Sequence, residues 1–122
     1  MINKNIFRGY DIRGIYPKEL DIDTAYTVGL GFGSYIKELG KTKCIVGHDN
    51  RLSSDSLNES LIKVLINSGI NVKDVGLVTT AMFNYASIIN EIPYGIMITA
   101  SHNKASDNGL KIFGENYLHL RQ

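Results

Sequence analysis

Apolar and polar positions along this chain switch between two periods, and the switches mark out a short series of elements. From Asp21 to Leu39, the residues Ala25, Val28, Phe32, Tyr35, Ile36 and Leu39 recur at helical spacing. Asp21 or Asp23 is placed to cap that helix and Gly40 to end it. Gly29, Gly31 and Gly33 lie inside it, each costing up to about 1 kcal/mol relative to Ala. Close packing of the helix against a sheet is the expected compensation. Lys43 to Gly47 reads as a buried strand. Ser53 or Ser54 then caps a second helix to about Ser68, with Leu57, Leu61, Val64 and Leu65 inward and Gly69 as its stop. Asn71 to Val78 is a third strand, with Val75, Leu77 and Val78 apolar. Thr79-Thr80 caps a short helix from about Ala81 to Asn90. Its expected core stripe is Met82, Tyr85, Ala86 and Ile89. Gly95 to Ile98, entered from Pro93, is a brief β-rich run of the kind buried in a sheet. Leu110 to Phe113 is a further strand, followed by a turn at Gly114-Glu115-Asn116.

With a strand near the N-terminus the order is β-α-β-α-β-α-β-β. Strands alternating with helices predict an α/β fold, a three-layer sandwich with a mixed, largely parallel sheet. The final pair is expected to be antiparallel. The 122 residues suffice for one domain with a real core, and no composition shift marks an interior boundary.

Composition narrows the class. An apolar content of 43% and a charged content of 20% are those of a soluble globular protein. A formal net charge of +1 gives no whole-chain argument for nucleic acid or an anionic membrane as partner. No apolar run approaches the ~20 residues of a membrane span, and no signal-peptide pattern opens the chain. A cytoplasmic location is the expectation. One cysteine, Cys44, excludes an internal disulfide and reads as a buried thiol. Three histidines, at 48, 102 and 119, with no cysteine partners, do not make a zinc pattern.

The candidate chemistry centres on Thr99-Ala100-Ser101-His102-Asn103. Polarity changes abruptly after Ile98, and Ser101 to Gly109 reads as a polar loop containing Asn108-Gly109. A serine just past a buried strand is held rigidly yet open to a ligand. In open α/β sheets, ligands bind beyond the carboxyl ends of the strands. Three loops would gather there: His48–Arg51, Thr79–Thr80 and Ser101–Asn108. Together they hold a hydroxyl, cations and amide donors. That set suits phosphoryl handling, where catalysis is mostly positioning and charge stabilisation. Acyl transfer fits poorly, because Ser101 lacks the Gly-x-Ser-x-Gly elbow and its neighbour His102 would point away from it. No nucleotide P-loop pattern is present, and the mid-helix glycines 29, 31 and 33 are in the wrong place for a phosphate loop. An Asp49–Arg51 pair is expected to brace its loop rather than to do chemistry. Upstream, Phe7-Arg8-Gly9-Tyr10-Asp11-Ile12-Arg13-Gly14 combines forked donors with glycines. Such a segment is either a phosphate-binding stretch or a plain strand and turn.

Four segments in register resemble the α-D-phosphohexomutases. Phe7 to Gly14 is similar to the N-terminal motif of the phosphomannomutase/phosphoglucomutase branch. Gly47-x-Asp49-x-Arg51 is similar to the second motif. Thr99 to Asn103 resembles the phosphoserine loop, and Asn108-Gly109-Leu110-Lys111-Ile112 the strand after it. Departures from the family pattern are Lys104 where Pro is common, Asp107 where an aromatic is common, and Ala81 in place of the Pro of a Thr-Pro pair. The resemblance implies that residues 1–122 form the first domain of a four-domain enzyme and are inactive alone. Ser101 would carry a phosphoryl group, exchanging it with a hexose phosphate through a hexose 1,6-bisphosphate. Arg13 and Lys111 would stabilise phosphate and assist proton transfer. Arg8, His102 and Asn103 would bind substrate or phosphate. Mg2+ would be held by the phosphate on Ser101 and by ligands outside this chain. The implied partners are a hexose phosphate and the remaining domains of the same polypeptide. The alternative is a stand-alone, non-catalytic phosphosugar-binding or regulatory module on the same fold.

Overall fold

The computed structural model describes residues 12–16, 20–100 and 107–115. Among them the order is β1 (Ile12–Ile15), α1 (Ile22–Glu38), β2 (Lys43–His48), α2 (Ser54–Asn67), β3 (Asn71–Leu77), α3 (Thr80–Ile89), β4 (Gly95–Ile98) and β5 (Asp107–Phe113). The five strands form one sheet in the order β1-β5-β4-β2-β3. Strands β2, β3 and β4 pair in parallel. Strand β5 runs antiparallel to both β4 and β1. The sheet is therefore mixed and mostly parallel, with α1 and α2 on one face and α3 on the other.

Alternation along the buried strands assigns the two faces. Cys44, Val46, Ile96, Ile98 and Leu110 pack with Ala25, Phe32 and Ile36 of α1 and Leu57, Leu61 and Leu65 of α2. Ile45, Met97 and Phe113 turn the other way, onto Phe83 of α3. The Phe83 and Phe113 rings sit 5.4 Å apart, tilted at 43°. Cys44 is buried, and burial pushes its thiol up to about 12, so it is an inert apolar filler.

Helix α1 starts where the sequence indicates. The Asp21 carboxylate accepts from the Thr24 backbone N–H at 2.8 Å and from the Thr24 hydroxyl at 2.9 Å, and both bonds hold it below the usual carboxylate range. Gly40 follows the end of the helix at φ +77°, a left-handed conformation that favours glycine. The mid-helix glycines are compensated differently from expectation. A Cβ on Gly29 would run into Val64 Cγ1 and meet Leu61 Cδ1 at 3.1 Å. The close partner of α1 is thus helix α2, not the sheet. Tyr35 and Leu39, expected on the inner face, are exposed instead.

Two further boundaries differ from the sequence reading. Strand β5 begins at Asp107, so Asn108-Gly109 is paired sheet rather than loop, and Asn108 is fully buried. On α3 the inward residues are Phe83 and Ser87, with Ala86 partly buried. Met82, Tyr85, Ile88 and Ile89 are all more than half exposed. Of the expected core stripe Ala86 faces inward, while Met82, Tyr85 and Ile89 lie on the outer face. Period alone could not separate the two, because every large residue on this helix is apolar or aromatic and none is charged.

Candidate functional site

Strands β2, β3 and β4 end side by side. The Asp49 N–H donates to the Ile98 carbonyl at 3.0 Å, and the Val78 N–H to the His48 carbonyl at 3.0 Å. Strand β5 starts at the same edge, where the Thr99 N–H donates to the Gly109 carbonyl at 2.9 Å. The three loops expected to gather thus leave one rim, and the first turns of α2 and α3 open onto it. Thr79 caps α3 there, its hydroxyl accepting from the Met82 N–H at 3.1 Å.

The best-defined feature of this rim is a polar network around Asp49. Oδ1 accepts from the Ser54 hydroxyl at 2.6 Å and from the Arg51 N–H at 3.1 Å. Oδ2 accepts from Arg51 Nε at 2.9 Å, and the Thr99 side chain donates to the same carboxylate. Burial pushes the Asp49 pKa up, but these donors outweigh it and leave the carboxyl below its ordinary value. Arg51 continues across the rim, with Nη1 donating to the Asp107 carbonyl at 3.2 Å. The expected brace between Asp49 and Arg51 is present, and it reaches β5 as well as its own loop. His48 is tied into the same loop, with Nδ1 2.8 Å from the Asp49 carbonyl and Nε2 3.5 Å from Asp55.

Neither serine at the start of α2 caps it. Ser53 occupies the N-cap position but its side chain makes no capping bond. Its Oγ accepts instead from Asn108 Nδ2 at 2.7 Å, and Ser54 Oγ accepts from the same nitrogen at 3.0 Å. Asn108 Oδ1 takes the Gly109 N–H at 2.8 Å. Sequence reasoning named Ser54 as a cap and Asn108 as part of a loop and a motif, and it missed the bond between them, which spans 54 positions that no local spacing reveals.

The candidate residues fall unevenly on the described chain. Ser101, His102 and Asn103, with Lys104, lie outside the described residues, as does Arg8. Thr99 and Ala100, immediately before Ser101, are buried. Arg13 stands in β1 opposite Gly109. Lys111 is half-buried in β5, opposite Met97. It lies two residues below Gly109, about 7 Å along the strand, which a lysine side chain can span to reach the rim. The register thus brings Arg13, Lys111 and the Thr99 end of β4 into one part of the sheet.

Among the described residues, no group of three or more His, Cys, Asp or Glu side chains could hold a metal ion. At this rim the Asp49 carboxylate has both oxygens engaged by Ser54 and Arg51. Nor, among the described residues, is any helix long and apolar enough to cross a membrane.

Comparison with known proteins agrees with this architecture. Residues 4–122 match the family described as phosphoglucomutase/phosphomannomutase, alpha/beta/alpha domain I. A phosphomannomutase/phosphoglucomutase of Pseudomonas putida is 45% identical over 108 residues, covering 88% of this chain and 23% of that protein. A phosphomannomutase of Klebsiella pneumoniae is 40% identical, covering 95% of this chain and 72% of that protein. The structure of a phosphoglucomutase/phosphomannomutase family protein from Burkholderia thailandensis superposes with a TM-score of 0.86 at 36% identity. That match covers 93% of this chain and 26% of the other. The chain spans about a quarter of the length of most relatives it matches. The motifs, the strand order and these likenesses agree: the chain belongs to the phosphoglucomutase/phosphomannomutase family and corresponds to its α/β/α domain I.

Proposed function

We propose that this domain supplies the phosphoserine of a phosphomannomutase/phosphoglucomutase, with Ser101 as the residue that carries the phosphoryl group. The observation that supports this reading is that Thr99 and Ala100, the residues just before Ser101, leave a buried strand at the rim where three parallel strands end, in a chain that belongs to this family. In the first half of the reaction a hydroxyl of the hexose phosphate attacks the phosphorus on Ser101. The Ser101 O–P bond breaks, the hydroxyl proton leaves to a base, and a hexose 1,6-bisphosphate forms. In the second half the Ser101 oxygen attacks the other phosphate of that sugar, which regenerates the phosphoserine and releases the isomeric monophosphate. Atoms balance over the cycle, and no oxidant or second substrate is consumed.

Charge builds on the transferring phosphoryl group and its neighbours, so cations at the rim lower the barrier. Arg13 and Lys111 take that role and assist the proton transfers. Arg8, His102 and Asn103 bind phosphate or substrate. In this reading the magnesium ion meets this chain only through the phosphate on Ser101. Its other ligands, and the groups that read the sugar, belong to further domains of the same polypeptide. Relatives about four times as long as this chain support that division.

Ser101→Ala in the complete protein is expected to reduce hexose-phosphate turnover to background and to abolish phosphate transfer from a labelled bisphosphate to protein. The denaturation midpoint should hold. Substantial residual turnover would remove Ser101 from this role.

A further inference from the structure

The chain on both sides of the segment bearing Ser101 is tied into one network, which Ser54 and Arg51 each carry from Asp49 to β5. On the incoming side, the Asp49 N–H donates to the Ile98 carbonyl at the end of β4 at 3.0 Å, the Thr99 side chain helps to lower the pKa of the Asp49 carboxylate, and Asp49 Oδ1 accepts from Ser54 Oγ at 2.6 Å. On the outgoing side, Asn108 Nδ2 donates to Ser54 Oγ at 3.0 Å and to Ser53 Oγ at 2.7 Å. The Ser54 hydroxyl uses its one proton on Asp49 and a lone pair on Asn108, so it closes a chain running Thr99–Asp49–Ser54–Asn108. Ser54 and Asn108 are completely buried and Thr99 nearly so. The Ser54–Asn108 bond is buried and the Ser54–Asp49 bond part-buried, so water replaces them poorly when Ser54 loses its hydroxyl. Ser54 sits in the first turn of α2, which is itself packed on the sheet through Leu57 and Leu61. The point where the chain leaves β4 and the point where it enters β5 are therefore set by one rigid frame.

We propose that Ser54 is a positioning residue for phosphoryl transfer, fixing through Asp49 and Asn108 the separation of the two ends of the segment that carries Ser101. This rests on Ser101 being the phosphoryl carrier. Phosphoryl transfer depends on in-line placement of the attacking and leaving oxygens, and a displacement of about 1 Å can cost on the order of a hundredfold in rate. Ser54 touches no reacting atom. Its loss therefore lowers kcat rather than weakening the binding of a hexose phosphate, which is held mainly by other groups.

The test uses the complete enzyme and glucose 1-phosphate as substrate, with Ser54→Ala, Thr99→Val, their double variant, Thr99→Ser and Ser101→Ala measured together. Ser54→Ala and Thr99→Val should each lower kcat by about tenfold to a hundredfold, with KM within about twofold of the parent. The double variant should lose little more than either single one, because both break the same chain of bonds. Thr99→Ser, which keeps the hydroxyl, should restore kcat. If Ser54→Ala does not fold, the contrast between Thr99→Val and Thr99→Ser decides the matter. Unchanged kcat in Ser54→Ala and Thr99→Val beside an inactive Ser101→Ala would overturn the positioning role alone. Losses that multiply in the double variant, or a rise in KM with kcat preserved, would overturn it too. Turnover surviving in Ser101→Ala would instead overturn the phosphoserine reading, and this one with it.

Discussion

The two faces of the sheet are covered very differently. On one, α1 and α2 lie over Cys44, Val46, Ile96, Ile98 and Leu110, so close together at Gly29 that a single added carbon would run into Val64. On the other, α3 packs on Ile45, Met97 and Phe113 through Phe83, with Val75, Val78 and Ile92 beside it. The first face meets solvent with charged residues such as Asp23, Lys37, Glu59 and Lys63 set among the exposed Tyr26, Leu30, Tyr35 and Ile66. The second ends in Met82, Tyr85, Ile88 and Ile89, all exposed. A helix with one apolar face declares which side is inward, whereas a helix apolar all round does not. Helices of the second kind are at home where both sides are covered, and among the described residues only one side of α3 is covered.

That contrast can be broken most directly at Phe83. Phe83→Ala should cost about 3–5 kcal/mol in urea denaturation, because one ring supplies most of the contact between α3 and the sheet. A cost below about 1 kcal/mol would mean that α3 is not what seals this face. On the opposite face, Gly29→Val should cost about 1–3 kcal/mol by forcing α1 and α2 apart, whereas the same change at Gly31, with open space around it, should cost much less. Equal effects would refute the close α1–α2 approach.

The rim between the faces has a pH signature. The folded Asp49 pKa lies below its ordinary value of 3.8. Its contribution to stability is therefore fully present above that value and is lost as pH falls through the lower folded one. Acid titration of stability should show this loss, and Asp49→Asn should flatten it. An unchanged acid limb in Asp49→Asn would show that the carboxylate is not held as its donors indicate. The smallest effect is expected on the outer side of α3, where Tyr85→Ser should shift stability by no more than about 0.5 kcal/mol. A larger loss would restore Tyr85 to the core, as its spacing suggests.

The order and type of the elements were legible because each is bounded by local chemistry: Asp21 and Thr79 as caps, Gly40 and Gly69 as stops, Pro93 before β4. The antiparallel last pair was legible for the same reason. What escaped was anything decided by a distant neighbour. Asn108-Gly109 looks like a turn by composition, but Ser53 and Ser54 hold the asparagine inside the sheet. Those serines look like caps, but Asn108 and Asp49 claim their hydroxyls. The brace from Asp49 to Arg51 was visible because its partners are two residues apart. Its continuation to Thr99 and Asp107 was not.

The pairing of β1 with β5 joins the first described strand of this domain to its last. On the ribosome, β1 emerges about a hundred residues before the partner that gives it a place in the sheet, so it must wait unpaired while α1, β2, α2 and β3 assemble. At ~5–20 residues per second that wait lasts seconds or longer. A stalled or truncated nascent chain lacking β5 would leave β1 unpaired and the flank of β4 open, and such edges recruit other chains. The last described strand is thus also the one that closes β1 and β4 against stray pairing.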